Sequence, residues 1–124
     1  MKKSFLWLIV ALVIIFGAIW LVKTLNKPGQ YDQFAQCISD SGASLYSTFW
    51  CSNCRNQKAK FGSSAELLSY VECSTADGKG QLPICAEAGI TAYPTWILSD
   101  GTRQIGDTSL ARLSEIISCP LPTK

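Results

Sequence analysis

The chain has 124 residues, with 11 Lys or Arg against 9 Asp or Glu, six cysteines and no histidine. The lack of histidine excludes His-based acid–base catalysis, Cys–His proteases and every Cys/His zinc pattern. The length limits the architecture to one small domain plus an accessory segment, and no basic patch argues for nucleic acid.

The accessory segment comes first. Residues 5–22, FLWLIVALVIIFGAIWLV, run eighteen residues without a charge, long enough for a transmembrane helix and longer than a usual signal-peptide core. Lys2 and Lys3 precede it, Lys23 and Lys27 follow, and Trp7 and Trp20 sit near its ends as aromatic belts do. A cleaved signal would want small residues at its end. Bulky Ile19, Trp20, Leu21 and Val22 stand there instead, so residues 1–22 read as an uncleaved anchor. Residues 23–29 are polar, carry a Pro-Gly turn signal and read as a linker. Residues 30–124 are then the folded domain. After Gly29 there are seven basic and nine acidic residues, so this part is mildly acidic.

Within the domain, Tyr31, Phe34, Ala35 and Ile38 have helical spacing, and Gly42 is placed to end that helix. Residues 43–49 read as a buried strand. A helix is predicted from about Cys51 to Phe61, broken at Gly62, with a further helical turn over 63–69. Residues 70–73 make a short strand, and 74–80 a loop with an Asp-Gly turn signal. A short helix holds Ile84 to Ala88. Residues 95–98 and 102–105 form a hairpin around Ser99-Asp100-Gly101. The last helix spans about 109–118, with Asp107 or Thr108 as N-cap. The helical crossover between the first two strands makes them parallel, and the hairpin makes the sheet mixed. Phe34, Tyr46, Phe49 and Trp96 are assigned to the core, and the run from Arg55 to Lys60 to a solvated helix face.

All six cysteines follow residue 36. Behind an N-terminal anchor, that number fits an oxidising, extracytoplasmic compartment. Cys51 and Cys54, with two residues between them, stand at the end of a strand and the start of a helix. The free N–H groups and the dipole of the helix start favour a thiolate at Cys51. Cys54, one turn in, is shielded and placed to resolve a mixed disulfide formed at Cys51. A zinc site would need two more ligands. Cys73 and Cys85, with eleven residues between them, lack the second close-spaced pair, so no metal is assigned. A permanently closed structural staple is the other alternative.

The residues Phe49-Trp50-Cys51-Ser52-Asn53-Cys54 and Ala92-Tyr93-Pro94-Thr95 resemble the thioredoxin superfamily. A narrower set is similar to the thioredoxin-like domain fused to, or accompanying, bacterial homologues of vitamin K epoxide reductase. It comprises Phe34, Cys37, Asn56-Gln57-Lys58, Phe61-Gly62, Tyr70-Val71-Glu72-Cys73, Asp77-Gly78-Lys79-Gly80-Gln81, Cys85, Gly89-Ile90 and Tyr93-Pro94-Thr95-Trp96. The resemblance covers about residues 33–119. It implies a thioredoxin-like α/β fold with a four-stranded mixed sheet flanked by helices. It also implies a cis-proline at Pro94 facing the cysteine pair, and disulfide exchange with protein thiols outside the cytoplasm, coupled to a separate membrane quinone reductase. No cofactor is expected, because the disulfide is itself the electron carrier.

Trp50 is read as a cover over the pair, and Tyr93 with Pro94 as the rim of a substrate groove. The pair encloses Ser52-Asn53, and residues 41–50 contain no acid, so the direction of electron flow stays open. A dedicated reductase, for example in cytochrome maturation, and a non-catalytic stapled module are the alternatives. For the remaining cysteines the expected bridges are Cys73–Cys85, where a short helix returns over the second strand, and Cys37–Cys119, where the first and last domain helices end at one pole.

Overall fold

The computed structural model describes residues 2–123. Helix α1, Lys2–Leu25, holds the apolar segment. Its 24 residues span about 36 Å at 1.5 Å per residue, enough for a hydrocarbon core of about 30 Å. By length and composition it is a candidate membrane span. An anchor and a signal sequence share those properties.

The domain runs α2 (Asp32–Asp40), β1 (Ser44–Ser47), α3 (Ser52–Ala59), a 3-10 segment (Gly62–Leu67), β2 (Tyr70–Glu72), α4 (Pro83–Glu87), β3 (Thr95–Ile97), β4 (Arg103–Ile105) and α5 (Leu110–Ile117). The four strands lie in the order β2-β1-β3-β4. β1 and β2 are parallel, while β3 runs antiparallel to both β1 and β4. This is the four-stranded mixed sheet with flanking helices that the order of predicted elements calls for. Helix α2 stops where Gly42 takes a φ of +84°, a left-handed conformation that costs glycine little.

Strand alternation sorts the core into two clusters. Leu45 and its cross-strand partner Trp96 face the main one. There they meet Phe34, Ala35 and Ile38 of α2, Phe61 beyond α3, and Leu113 of α5. Phe34 and Phe61 stack with ring centroids 5.8 Å apart. Full burial of each large side chain contributes about 1.5–3 kcal/mol, and this cluster fixes α2 and α5 to the sheet. Tyr46, Val71 and Ile97, on the opposite face, pack against Cys73, Cys85 and Ile90.

Three assignments change. Phe49 is not core but 53% exposed, because β1 ends at Ser47 and the chain then turns outward. The N-cap of α5 is neither Asp107 nor Thr108. Ser109 takes that place, its hydroxyl accepting the Arg112 N–H at 3.1 Å. Nor is the run from Arg55 to Lys60 one solvated face. Gln57 is fully buried, Lys58 Nζ lies 3.5 Å from the Tyr70 ring centroid, and Lys60 pairs with Asp107 at 2.5 Å.

Two disulfides bind the periphery to this frame. Cys37 on α2 is bonded to Cys119 after α5, with Cα atoms 5.9 Å apart. Cys73 after β2 is bonded to Cys85 on α4, at a Cα separation of 5.6 Å.

Candidate active site

β1 delivers the chain to the edge of the sheet, and a turn through Thr48, Phe49 and Trp50 passes it to α3. Cys51 is the N-cap of that helix: its Sγ accepts the Cys54 N–H at 3.2 Å, and its carbonyl accepts the Arg55 N–H at 3.1 Å. The sulfur thus occupies the position where a helix start presents unpaired N–H donors, an environment that stabilises negative charge. Cys51 and Cys54 are bonded, with Cα atoms 5.2 Å apart. Cys51 is 9% exposed and Cys54 only 1%, so an incoming sulfur meets Cys51 first.

The opposite wall comes from the loop before β3. The Tyr93–Pro94 bond is cis, Pro94 is buried, and the Tyr93 carbonyl oxygen lies 3.8 Å from Cys51 Sγ. Trp50, half exposed, meets the Tyr93 ring edge to face, with centroids 6.0 Å apart. Its indole N–H donates to the Ser74 hydroxyl at 2.9 Å. Trp50 and Tyr93 thus form one aromatic edge, and Phe49, also exposed, extends it.

A cavity of about 300 Å³ reaches Cys54 from the β2 side, lined by Ser47, Thr48, Arg55, Lys58, Tyr70 and Glu72 among others. β1 carries no acid, but the parallel register sets Glu72 of β2 opposite Ser47. Glu72 accepts the Tyr70 hydroxyl at 2.5 Å and the Ser74 N–H at 2.8 Å. Burial, reinforced by the bond to Glu72, pushes the Tyr70 phenol up to about 12.

Sequence reasoning missed this acid because it looked for one in the strand before the pair, whereas it arrives from the adjacent strand. It also missed Gln57, whose amide accepts the Thr108 N–H at 2.7 Å and donates to the Thr108 carbonyl at 3.0 Å. A polar residue in a polar run offers no periodic signal for burial. Cys73 and Cys85 lie beneath the loop that carries Ser74, while Cys37 and Cys119 belong to the main core and its border. Among the described residues, no group of three or more His, Cys, Asp or Glu is placed to hold a metal ion.

No family model matches the chain. Over 86 residues, 66% of its length, it is 41% identical to the thiol-disulfide oxidoreductase LTO1 of Arabidopsis thaliana. The match covers 23% of that protein, so the chain spans less than a quarter of the relative's length. Together with the four-stranded mixed sheet, this similarity supports a thioredoxin-like domain of the oxidoreductase kind.

Proposed function

We propose that the chain is a membrane-anchored thiol–disulfide oxidoreductase acting on protein thiols and disulfides through Cys51 and Cys54. The observation that carries this reading is the position of Cys51, which caps α3 with its sulfur, is the more exposed of a bonded pair and stands against the Tyr93 carbonyl. In the oxidising direction a substrate thiolate attacks Cys51 Sγ. The Cys51–Cys54 bond breaks, and Cys54 leaves as a thiolate that takes up a proton. A second substrate thiolate attacks the substrate sulfur of the mixed disulfide and releases Cys51. Two electrons pass from the substrate dithiol to the pair, and two protons go with them or to solvent. In reverse, Cys51 attacks a substrate disulfide and Cys54 resolves the intermediate.

Pro94, with Tyr93 and Trp50, borders the groove that receives the substrate backbone. Residues 5–22 hold the protein in a membrane, residues 23–29 link the anchor, and residues 30–124 act on the extracytoplasmic side, periplasmic or cell-surface. The resemblance through Tyr70–Cys73 and Tyr93–Trp96 points to recycling by a separate membrane quinone reductase of the vitamin K epoxide reductase type. Trapping tests the core of this reading. Cys54→Ala is expected to accumulate mixed disulfides through Cys51, and Cys51→Ala to lose exchange. Full exchange activity in Cys51→Ala would overturn the mechanism.

A further inference from the structure

Residues 74–81, the predicted loop 74–80 with Gln81 added, form a small hairpin over the second core cluster. Its neck is a pair of residues, Ser74 and Gln81, bridged in antiparallel fashion. Below the neck, the Leu82 N–H donates to the Cys73 carbonyl at 2.7 Å, and the Cys73–Cys85 disulfide closes the base. Above it, Thr75 and Gly80 exchange a backbone bond, and Asp77 accepts both the Thr75 hydroxyl at 2.6 Å and the Lys79 N–H at 3.1 Å. These bonds hold the Asp77 carboxyl below the usual carboxylate range. The tip of the hairpin is braced by bonds among its own residues.

What sets it apart from a plain turn is where the two neck side chains go. Ser74 accepts the Trp50 indole N–H at 2.9 Å. Gln81 donates to the Tyr93 hydroxyl at 2.6 Å and to the Ile90 carbonyl at 2.8 Å. Trp50 and Tyr93 are the two rings that meet edge to face beside Cys51. At the tip, a Cβ on Gly78 would stand 3.6 Å from both Phe49 Cζ and Trp50 Cδ1, so the hairpin backbone lies against the same aromatic surface. One braced element thus grips both aromatic walls of the groove, each through a single side-chain bond.

We propose that Ser74 and Gln81 are positioning residues that hold Trp50 and Tyr93 in place for a polypeptide substrate, acting through the rings and not on the sulfur chemistry. This inference rests on the oxidoreductase reading. An aromatic ring that loses the polar bond at its rim keeps its packing contacts but loses the restraint that fixes its orientation. A substrate that leans on the ring then binds less well, while the Cys51–Cys54 geometry, set by α3, is unaffected.

The test uses the full chain in detergent micelles, with a reduced dithiol peptide as substrate and the pair initially oxidised. Gln81→Leu is expected to raise KM for the peptide about fivefold and to leave kcat within twofold, with a lower melting temperature only because the Ile90 carbonyl also loses its donor. Tyr93→Phe removes the same bond from the other side and is expected to raise KM equally. The double variant should be no worse than either single. Ser74→Ala should raise KM and Ser74→Thr restore it. Additive KM effects, a fall in kcat alone, or no change in any variant would overturn the proposal. Absence of peptide oxidation and of disulfide exchange in the unmodified protein would instead overturn the oxidoreductase reading itself.

Discussion

Cys51 and Cys54 are three residues apart, yet their surroundings differ. The first sulfur meets the Cys54 N–H and the Tyr93 carbonyl, while the second lines a cavity that Glu72 also borders. A buried thiol gaining or losing a proton benefits from a carboxylate within reach, and acid–base assistance of this kind contributes 10²–10⁴-fold at its best. Glu72 also accepts two hydrogen bonds, so its share should be smaller. Glu72→Gln is expected to slow the Cys54-dependent step about tenfold near neutral pH, with the Cys51 trapping reaction intact. Stopped-flow thiol exchange at several pH values checks this, and an unchanged pH profile would remove Glu72 from the proton path. Tyr70 offers a second check at the same scale. Its phenol stays neutral in the fold up to about 12, against an ordinary value of 10.0. A raised value means that the stabilisation is complete below pH 10 and is lost as pH rises toward 12. Tyr70→Phe should flatten the fall in melting temperature across that window.

Among the elements, α3 depends on a contact that its own sequence does not advertise. Gln57 satisfies both backbone groups of Thr108, ahead of α5. This ties the cysteine-bearing helix to the far end of the chain, and Lys60 adds an exposed ion pair to Asp107 beside it. Gln57→Leu keeps the volume but leaves the buried Thr108 N–H unpaired and its carbonyl with only the Lys60 ammonium at 3.4 Å, at a cost of about 1–3 kcal/mol for the unsatisfied N–H. Denaturant unfolding should show a loss in that range, and a neutral result would mean that the Thr108 groups find other partners. Helix α2 is held by burial of Phe34, Ala35 and Ile38 and by the Cys37–Cys119 bridge, which spans 82 residues of sequence. In the chain-entropy model a loop of that size contributes about 4.5 kcal/mol, against about 3 kcal/mol for the Cys73–Cys85 loop. Replacing Cys37 and Cys119 by Ser should therefore lower stability by several kcal/mol while leaving disulfide exchange intact at temperatures where the domain is folded.

For the molecule as a whole, the apolar α1 and the six cysteines belong to one reading. Six bonded cysteines fit the proposed oxidising compartment, and on that reading α1 would anchor the domain at the membrane surface. The expected topology places the N-terminus in the cytoplasm and residues 30–124 outside. Fractionation should recover the full-length chain in membranes, with the domain digested by added protease in intact, outer-membrane-permeabilised cells. A soluble product shortened by about twenty residues would identify a cleaved signal instead.

Hydrophobic spacing and turn residues determined the order of elements and the mixed character of the sheet. They also placed Cys51 where a strand hands over to a helix and marked residues 5–22 as an apolar span. The strand-to-helix handover at Cys51 and the apolar span are local, each written in fewer than about twenty consecutive residues, and the element order follows from stringing such local signals together. The tertiary structure alone decided that Phe49 faces out and Gln57 in, that β2 supplies Glu72 to the space by Cys54, and that Ser74 and Gln81 reach Trp50 and Tyr93. Each of these depends on inter-strand register or on where a loop comes to rest over the sheet. Both are set by packing between segments distant in sequence, which the spacing of residues within one segment does not encode.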